Sequence, residues 1–320
     1  MGKLTRLKQN WSDADWWRLR VIPFLRREAC NSYARAYYAA KGVDFVSIPE
    51  SDWDNLLILD ACRYDYFERQ HDLNGELEQR YSKASQTPVF LRKNFGDQMF
   101  HDIVYLSGNP FQRTALDDDQ FHDVYHLWET HWDDELRTVP PEAVTEVAAE
   151  AHDTYPNKRL MVHYMQPHTP FIGSWAREHV EIRHGNQHAR QIAQTGTHDV
   201  ETSGPYERLK RGELKRGDVE KAYAENLDVV LDSVESLLPM LRGKTVVTAD
   251  HGELLGERAW PFPWKGYEHR RYFAEKLLEV PWLVVETGER KSVDAEPPNR
   301  TDETVDTAEI EEKLRNLGYK

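Results

Sequence analysis

Asp250, His251, Gly252 and Glu253 follow the apolar run Thr245–Ala249 without a break. A carboxylate beside an imidazole offers ligand types suited to a divalent cation, and glycine lets the backbone turn sharply behind them. The plainer alternative is a strand-end turn in which Asp250 caps a helix. The balance moves toward a metal because a second apolar run, Asn55–Leu59, also ends in a carboxylate, Asp60. Taken alone, Asp60 reads equally well as a cap. Metal-assisted ester chemistry also needs a hydroxyl that a cation can activate. Thr87 stands directly before Pro88, where an N-cap and a first helical residue are expected, so its hydroxyl should lie beside free backbone N–H groups that favour an anion. Ser85 is the rival nucleophile. His168, flanked by Pro167 and Pro170 just past a further apolar run, is expected at the strand-end crevice as a donor to a substrate oxygen. His269 follows at loop distance as a further ligand.

These residues need a scaffold that gathers strand ends. Short apolar runs at Asn55–Asp60, Ile103–Leu106, Leu160–His163, Thr245–Asp250 and Val280–Val285 have the character of strands covered on both faces. Helical patterns lie between them. One starts at Asp218 as N-cap, sets Val219, Tyr223, Leu227, Val230, Val234, Leu237 and Leu241 on one stripe, and stops at Gly243. Another starts at Pro140 and Pro141 and runs through Ala143, Val147 and Ala151. Strands alternating with helices imply parallel crossovers, so the expected fold is a three-layer α/β sandwich with a mostly parallel central sheet. In such sheets the ligand site lies at the carboxyl ends of the strands.

The expected organisation is a helical lead-in over 1–49, a catalytic domain over 50–287 and a polar tail over 288–320 that closes with a short helix, Glu309–Leu317. Within the domain, 173–217 is rich in His, Arg, Gln and Gly and reads as a long functional excursion. The lead-in carries Trp16, Trp17, Arg18, Arg20, Arg26 and Arg27. That composition suits peripheral contact with a lipid headgroup surface, although a helix packed on the domain is the favoured reading.

With 55 acidic against 41 basic residues, the net charge of −14 repels phosphate backbones, and nucleic acid is excluded as a partner. Two cysteines, Cys30 and Cys62, exclude a disulfide-stapled scaffold and an intrachain thiolate cluster. The basic N-terminus lacks an apolar signal core and no membrane-spanning run is present, so a cytoplasmic location is expected.

In order along the chain, LLILDACRYD, the Thr before a helix, HYMQPHTPF, TADHGELLGER and LLEVPWLVV resemble the alkaline phosphatase superfamily, specifically its sulfatase-like branch, over about residues 50–287. The resemblance implies an alkaline-phosphatase-like core and nucleophilic displacement at phosphorus or sulfur. Position by position, Asp60, Asp250 and His251 match metal ligands, Thr87 the nucleophile, and His168 a substrate-contacting histidine, while Lys265 or His269 falls at a further active-site position. The expected site therefore has Thr87 and His168 as catalytic groups, with His168, Lys265 and Ser85 toward the substrate. Around one or two divalent ions (Zn, Mn, Mg or Ca) stand Asp60, Asp250, His251, Thr87 and His269.

Two departures refine the expectation. Sulfatases of this branch carry two consecutive aspartates at the first ligand position, whereas Ala61 follows Asp60. They also use a Cys or Ser within Cys/Ser-x-Pro-x-Arg, and neither Cys30, Cys62 nor Ser85 has that setting. A threonine nucleophile is similar to the phosphodiesterases, phosphoethanolamine transferases and lipoteichoic acid synthases of the superfamily. The expected activity is metal-dependent hydrolysis or transfer of a phosphate or sulfate ester, phosphorus preferred, on a small molecule or glycan. The alternative is a catalytically silent domain that binds a sugar or anionic polymer.

Overall fold

The computed structural model describes residues 11, 13–180, 190–191, 193–194, 204–269 and 272–298. Its strands are β1 (Phe45–Val46), β2 (Asn55–Leu59), β3 (Glu76–Ser82), β4 (Phe100–Ser107), β5 (Phe121–His126), β6 (Arg159–Tyr164), β7 (Gly243–Thr248), β8 (Leu255–Arg258), β9 (Lys265–Tyr267) and β10 (Glu279–Thr287). Eight of them form one sheet in the order β1-β3-β10-β7-β2-β6-β4-β5, and β8 and β9 form a separate antiparallel pair. Every neighbouring pair in the large sheet is parallel except those of β10, which runs antiparallel to both β3 and β7.

Alternation along the central strands divides the core into two layers. In β2, Leu57 and Leu59 face one cluster with Val104, Leu106, Val162 and Val247. Leu56 and Ile58 face the other with Ile103, Tyr105, Met161 and Val246. Both sets are fully buried, so each face carries a hydrophobic load and must be covered by helices; truncating one such Leu or Ile to Ala costs about 2–5 kcal/mol.

The helices that matter for the site are α1 (Ile22–Ala40), α2 (Tyr64–Gln70), α3 (Thr87–Phe95), α4 (Pro141–Thr154), α5 (Ser174–His179), α6 (Pro205–Lys210) and α7 (Arg216–Leu237). On α7, Val219, Tyr223, Leu227, Val230, Val234 and Leu237 are buried in the first layer, the stripe expected of an amphipathic helix. The second layer takes Phe90, Leu91 and Phe95 of α3. The result is the expected three-layer α/β sandwich around a mostly parallel sheet.

Several local expectations change. Helix α7 begins at Arg216 with Lys215 as N-cap, which puts Asp218 in the first turn, and it ends at Leu237. The described part of 173–217 includes two short helices, α5 and α6. The start of the polar tail is anchored to the domain. Strand β10 continues to Thr287, and beyond it Arg290 pairs with Asp52 and Asp54, while the Asp294 and Glu296 amides donate to Asn157 and His101 carbonyls. The expected helix Glu309–Leu317 lies outside the described residues. In the lead-in, a π-helical turn over Trp17–Val21 precedes α1, whose Ala34 and Tyr38 pack against Phe262, Leu277 and Leu278.

Candidate active site

Four adjacent parallel strands, β7, β2, β6 and β4, deliver polar residues at one edge of the sheet. Asp60 follows β2, Asn109 follows β4, His163 sits near the end of β6 with His168 beyond it, and Asp250, His251 and Glu253 follow β7. This is the carboxyl edge, where parallel sheets place ligands. Gly252 is required there. A Cβ on it would lie 2.1 Å from the Lys276 carbonyl oxygen, so the turn that separates His251 from Glu253 admits no side chain.

Thr87 reaches this edge from the side. Its helix begins one residue earlier than expected, with Gln86 as N-cap and Thr87 already inside the first turn. The expected capping role is therefore corrected: the hydroxyl does not close the helix end. It points instead to Asp60 Oδ2 at 3.5 Å and His251 Nε2 at 3.4 Å. Asp60 is no cap either, since Arg63 occupies the N-cap of α2. Its Oδ2 accepts a 2.5 Å hydrogen bond from Asn109 Nδ2. Asp250 Oδ1 accepts from the Ala61 and His251 amides at 3.0 and 2.9 Å. The opposite oxygens, Asp60 Oδ1 and Asp250 Oδ2, are buried and complete no hydrogen bond. They lie 3.8 and 3.3 Å from His251 Nε2.

A second group lies alongside. His168 Nε2 and His269 Nδ1 approach Glu253 Oε2 at 4.0 and 3.6 Å, and the two imidazole centres are 5.0 Å apart. The His269 ring is also 4.8 Å from that of His251, which joins the groups. The side chain of Glu253 is wholly buried, and neither oxygen completes a hydrogen bond.

The histidines are arranged as neutral bases. Since a carbonyl oxygen only accepts, the 2.7 Å contact of His168 Nδ1 with Thr169 O and the 2.8 Å contact of His251 Nδ1 with Gly252 O put the proton on Nδ1 and leave the Nε2 lone pair facing the cluster. Burial, reinforced by His269 and opposed by Glu253, lowers the His168 pKa to about 4. Burial lowers His163 to about 4 as well, and pushes His251 below its ordinary value. Among the carboxylates, burial and then the Asp250 charge raise Asp60 well above the usual range, and burial pushes Glu253 up to about 7. Asp250 moves the other way: against the effect of burial, His251 and His163 hold it below the usual range. Among the described residues, no Lys or Arg side chain pairs with Asp60 or Glu253.

A divalent cation fits that deficiency. Asp60, His163 and Asp250 offer ligand atoms within 4.8 Å of one another, and so do His168, Glu253 and His269. Buried carboxylate oxygens without hydrogen bonds, beside His168 anchored through Nδ1 to a carbonyl and His163 anchored through Nδ1 to the Tyr105 hydroxyl at 3.0 Å, are a donor set and outer support of the kind a cation requires.

The loops are fixed from behind. The Tyr223 hydroxyl donates to the Ala61 carbonyl at 2.7 Å and accepts from the Arg63 amide at 2.9 Å, holding Ala61 at φ 60° in the left-handed region. Arg63, buried, pairs with Asp65 and Glu257 at 2.8 and 2.6 Å.

Of the expected residues, the structure brings together Asp60, Thr87, His168, Asp250, His251 and His269. Ser85 is buried two residues ahead of α3. Lys265 is exposed on β9, outside the cluster, with Arg258 as its register partner. Three contributors were not expected: Asn109, His163 and Glu253. Asn109 and His163 sit where polar residues end apolar runs, the rule that singled out Asp60. Glu253 was visible in the Asp-His-Gly-Glu string, but its direction depends on the Gly252 turn.

No family model and no curated protein sequence matches the chain. Solved structures similar to it include the integral membrane protein lipooligosaccharide phosphoethanolamine transferase A of Neisseria meningitidis, at 10% identity and TM-score 0.43. That match covers 88% of this chain, which spans only 60% of that protein's length. The C-terminal periplasmic domain of EptC from Escherichia coli, in complex with Zn, is matched at 14% identity and TM-score 0.44, covering 78% and 76% of the two chains. BT4656, in complex with its substrate D-glucosamine-2-N,6-O-disulfate, is matched at 13% identity and TM-score 0.43, covering 75% and 71%. The expected cytoplasmic location is withdrawn, because the similar domains include ones described as periplasmic and one from an integral membrane protein. Among the described residues, no helix is long and apolar enough to cross a membrane. Each of these likenesses, at 10–14% identity, is one of fold.

Proposed function

We propose that the chain is a metal-dependent hydrolase or transferase of phosphate or sulfate esters in which Thr87 is the nucleophile. The observation that carries this reading is the Thr87 hydroxyl, buried at a helix start and aimed at Asp60 and His251 rather than at its own helix. Asp60, Asp250 and His251, with His163 behind them, hold one cation beside Thr87. His168, Glu253 and His269 hold a second. A bound divalent cation supplies Lewis-acid polarisation of the ester and makes a nearby hydroxyl easier to deprotonate. Thr87 Oγ1, its proton released to solvent, would bond to phosphorus or sulfur as the ester's alcohol oxygen departs and takes up a proton from solvent; water or an acceptor alcohol, losing its own proton, would break that bond in a second displacement and return the Thr87 hydroxyl. His168 serves as a ligand in this scheme. The donor role expected from sequence is set aside, because its proton is committed to the Thr169 carbonyl.

Rapid acid quench of the enzyme turning over a bis-phosphodiester, followed by peptide mapping, tests the nucleophile. A phosphoryl adduct on Thr87, lost in Thr87→Ala and kept in Ser85→Ala, supports the reading. An adduct on Ser85 reverses it, an active enzyme with no adduct points to direct attack by water, and an inactive protein that still binds the cation points to a silent binding domain.

The same reading extends to where the enzyme works. We propose that the segment from Trp11 through α1 rests on an anionic lipid surface. Trp11, Ile22, Phe24, Leu25 and Tyr33 are exposed there, and the sequence between them carries Arg18, Arg20, Arg26 and Arg27 on an otherwise acidic protein. Exposed apolar side chains among arginines suit a headgroup boundary.

A further inference from the structure

The 173–217 excursion returns to the site through α6. Tyr206 is 4% exposed, packs edge-on to Phe171 with ring centres 6.3 Å apart, and its buried hydroxyl completes no hydrogen bond. The hydroxyl lies within hydrogen-bonding reach of Glu253, whose two buried oxygens have no other hydrogen-bond partner. A buried donor and a buried acceptor with no other partner are each costly unless they serve one another, since leaving such a group unpaired costs more than a made bond returns. The rest of α6 is anchored: Arg208 donates to the Val180 carbonyl, and Leu209 lies against Gly256 of β8. The Glu253 backbone is held separately, its carbonyl accepting from Arg63 at 3.4 Å. The main chain of Glu253 is thus fixed by the catalytic core and its carboxylate is left to the excursion.

We infer that Tyr206 is a positioning residue for Glu253: its hydroxyl donates to the carboxylate and sets the orientation in which Glu253 joins His168 and His269 around a cation. The inference rests on the cation-dependent reading above. It gives helix α6 a part in ordering a ligand of the site. No proton is transferred in this role, and Tyr206 touches neither substrate nor cation.

Calorimetric titration of the full chain with Zn(II), and separately with Mn(II), tests it. Tyr206→Phe keeps the ring and its Phe171 contact and removes only the hydroxyl. It should weaken one of two bound cations about 10–100-fold, the usual cost of losing an outer partner of a ligand, and leave the other unchanged. Phe171→Leu loosens the same packing without touching the hydroxyl and should leave both affinities as they are. Equal affinities in Tyr206→Phe and the parent chain overturn the inference alone. A weakening in Phe171→Leu as large as in Tyr206→Phe reduces Tyr206 to packing and overturns it too. A parent chain that binds no cation, or only one that does not require His168 and His269, overturns both this inference and the two-cation reading beneath it.

Discussion

Asn226 of α7 holds the loop of His168 from below: its Nδ2 donates to the His168 carbonyl at 2.9 Å, and to those of Pro167 and Pro170 at 3.0 and 3.3 Å. Its Oδ1 accepts the Ile172 amide at 2.9 Å. One fully buried amide therefore satisfies four backbone groups of a segment that has no sheet or helix partner of its own. Tyr223, one turn earlier on the same helix, does the same for the loop after Asp60. A single rigid element thereby sets the relative position of two loops that carry site residues.

Asn226→Ala should lower stability by about 3 kcal/mol, because it strands several buried backbone groups at once. Activity on a diester should fall further than the loss of folded protein accounts for. Urea denaturation together with initial rates well below the unfolding transition separates the two effects. A variant as stable and as active as the parent contradicts the stapling role.

Asp250→Asn should abolish tight binding of the cation beside Thr87 and leave the fold intact. The amide oxygen still accepts from the Ala61 and His251 N–H groups, while the charge and the second oxygen's lone pairs are lost. Metal content after dialysis, read beside the circular dichroism spectrum, is the check. Undiminished stoichiometry removes Asp250 from the ligand set.

His152 gives a pH signature remote from the site. Its Nε2 accepts the Arg242 amide at 3.1 Å, and burial, with help from the Lys291 and Arg242 charges, lowers its pKa from 6.5 to about 4. Because the folded pKa lies below the unfolded one, the unfolded chain binds more protons between these values. This contribution to stability is present above pH 6.5 and is lost progressively as pH falls toward 4. His152→Gln should flatten that part of the stability profile. A profile unchanged over this interval rules out His152 as its source.

For the lipid surface, vesicles containing an anionic phospholipid should carry the parent chain upward in a flotation gradient at low salt, with neutral vesicles carrying much less. Ile22→Ser combined with Leu25→Ser should reduce flotation at least several-fold, each fully inserted side chain being worth about 2 kcal/mol. Equal flotation on neutral and anionic vesicles removes the role of the arginines. A change in oligomeric state rather than in flotation makes the patch a contact between copies of the chain.

The sequence was most legible where burial is complete. Asn55–Leu59 and Leu160–His163 lie on strands whose two faces both meet core, so their apolar runs stood out. Strand β3, Glu76–Ser82, offered no such run: it is mostly charged, polar and half-exposed, and it is a strand because β1 and β10 pair with it. Strand β5 lies at the sheet edge and is only partly buried, so its pattern is weak too. The antiparallel direction of β10 is set by the route of the chain after β9, which periodicity does not encode. In the site, Asp60, Asp250 and His251 followed from strand ends. The pairing of Thr87 with Asp60 and His251 did not, because it depends on where α3 docks.

The buried carboxylates of Asp60, Asp250 and Glu253 carry one more consequence, for the order in which ligands arrive. Beside them stand neutral imidazoles, and the buried Arg63 guanidinium is already committed to Asp65 and Glu257. Among the described residues, an ester anion meeting this cluster by itself finds no uncommitted positive charge to offset the loss of its hydration, and any ionised carboxylate repels it. Under the proposed chemistry, the cation must therefore load first and the ester second. In that scheme recognition of the ester is conditional on metal occupancy, and the unloaded site disfavours free phosphate and sulfate for the same reason.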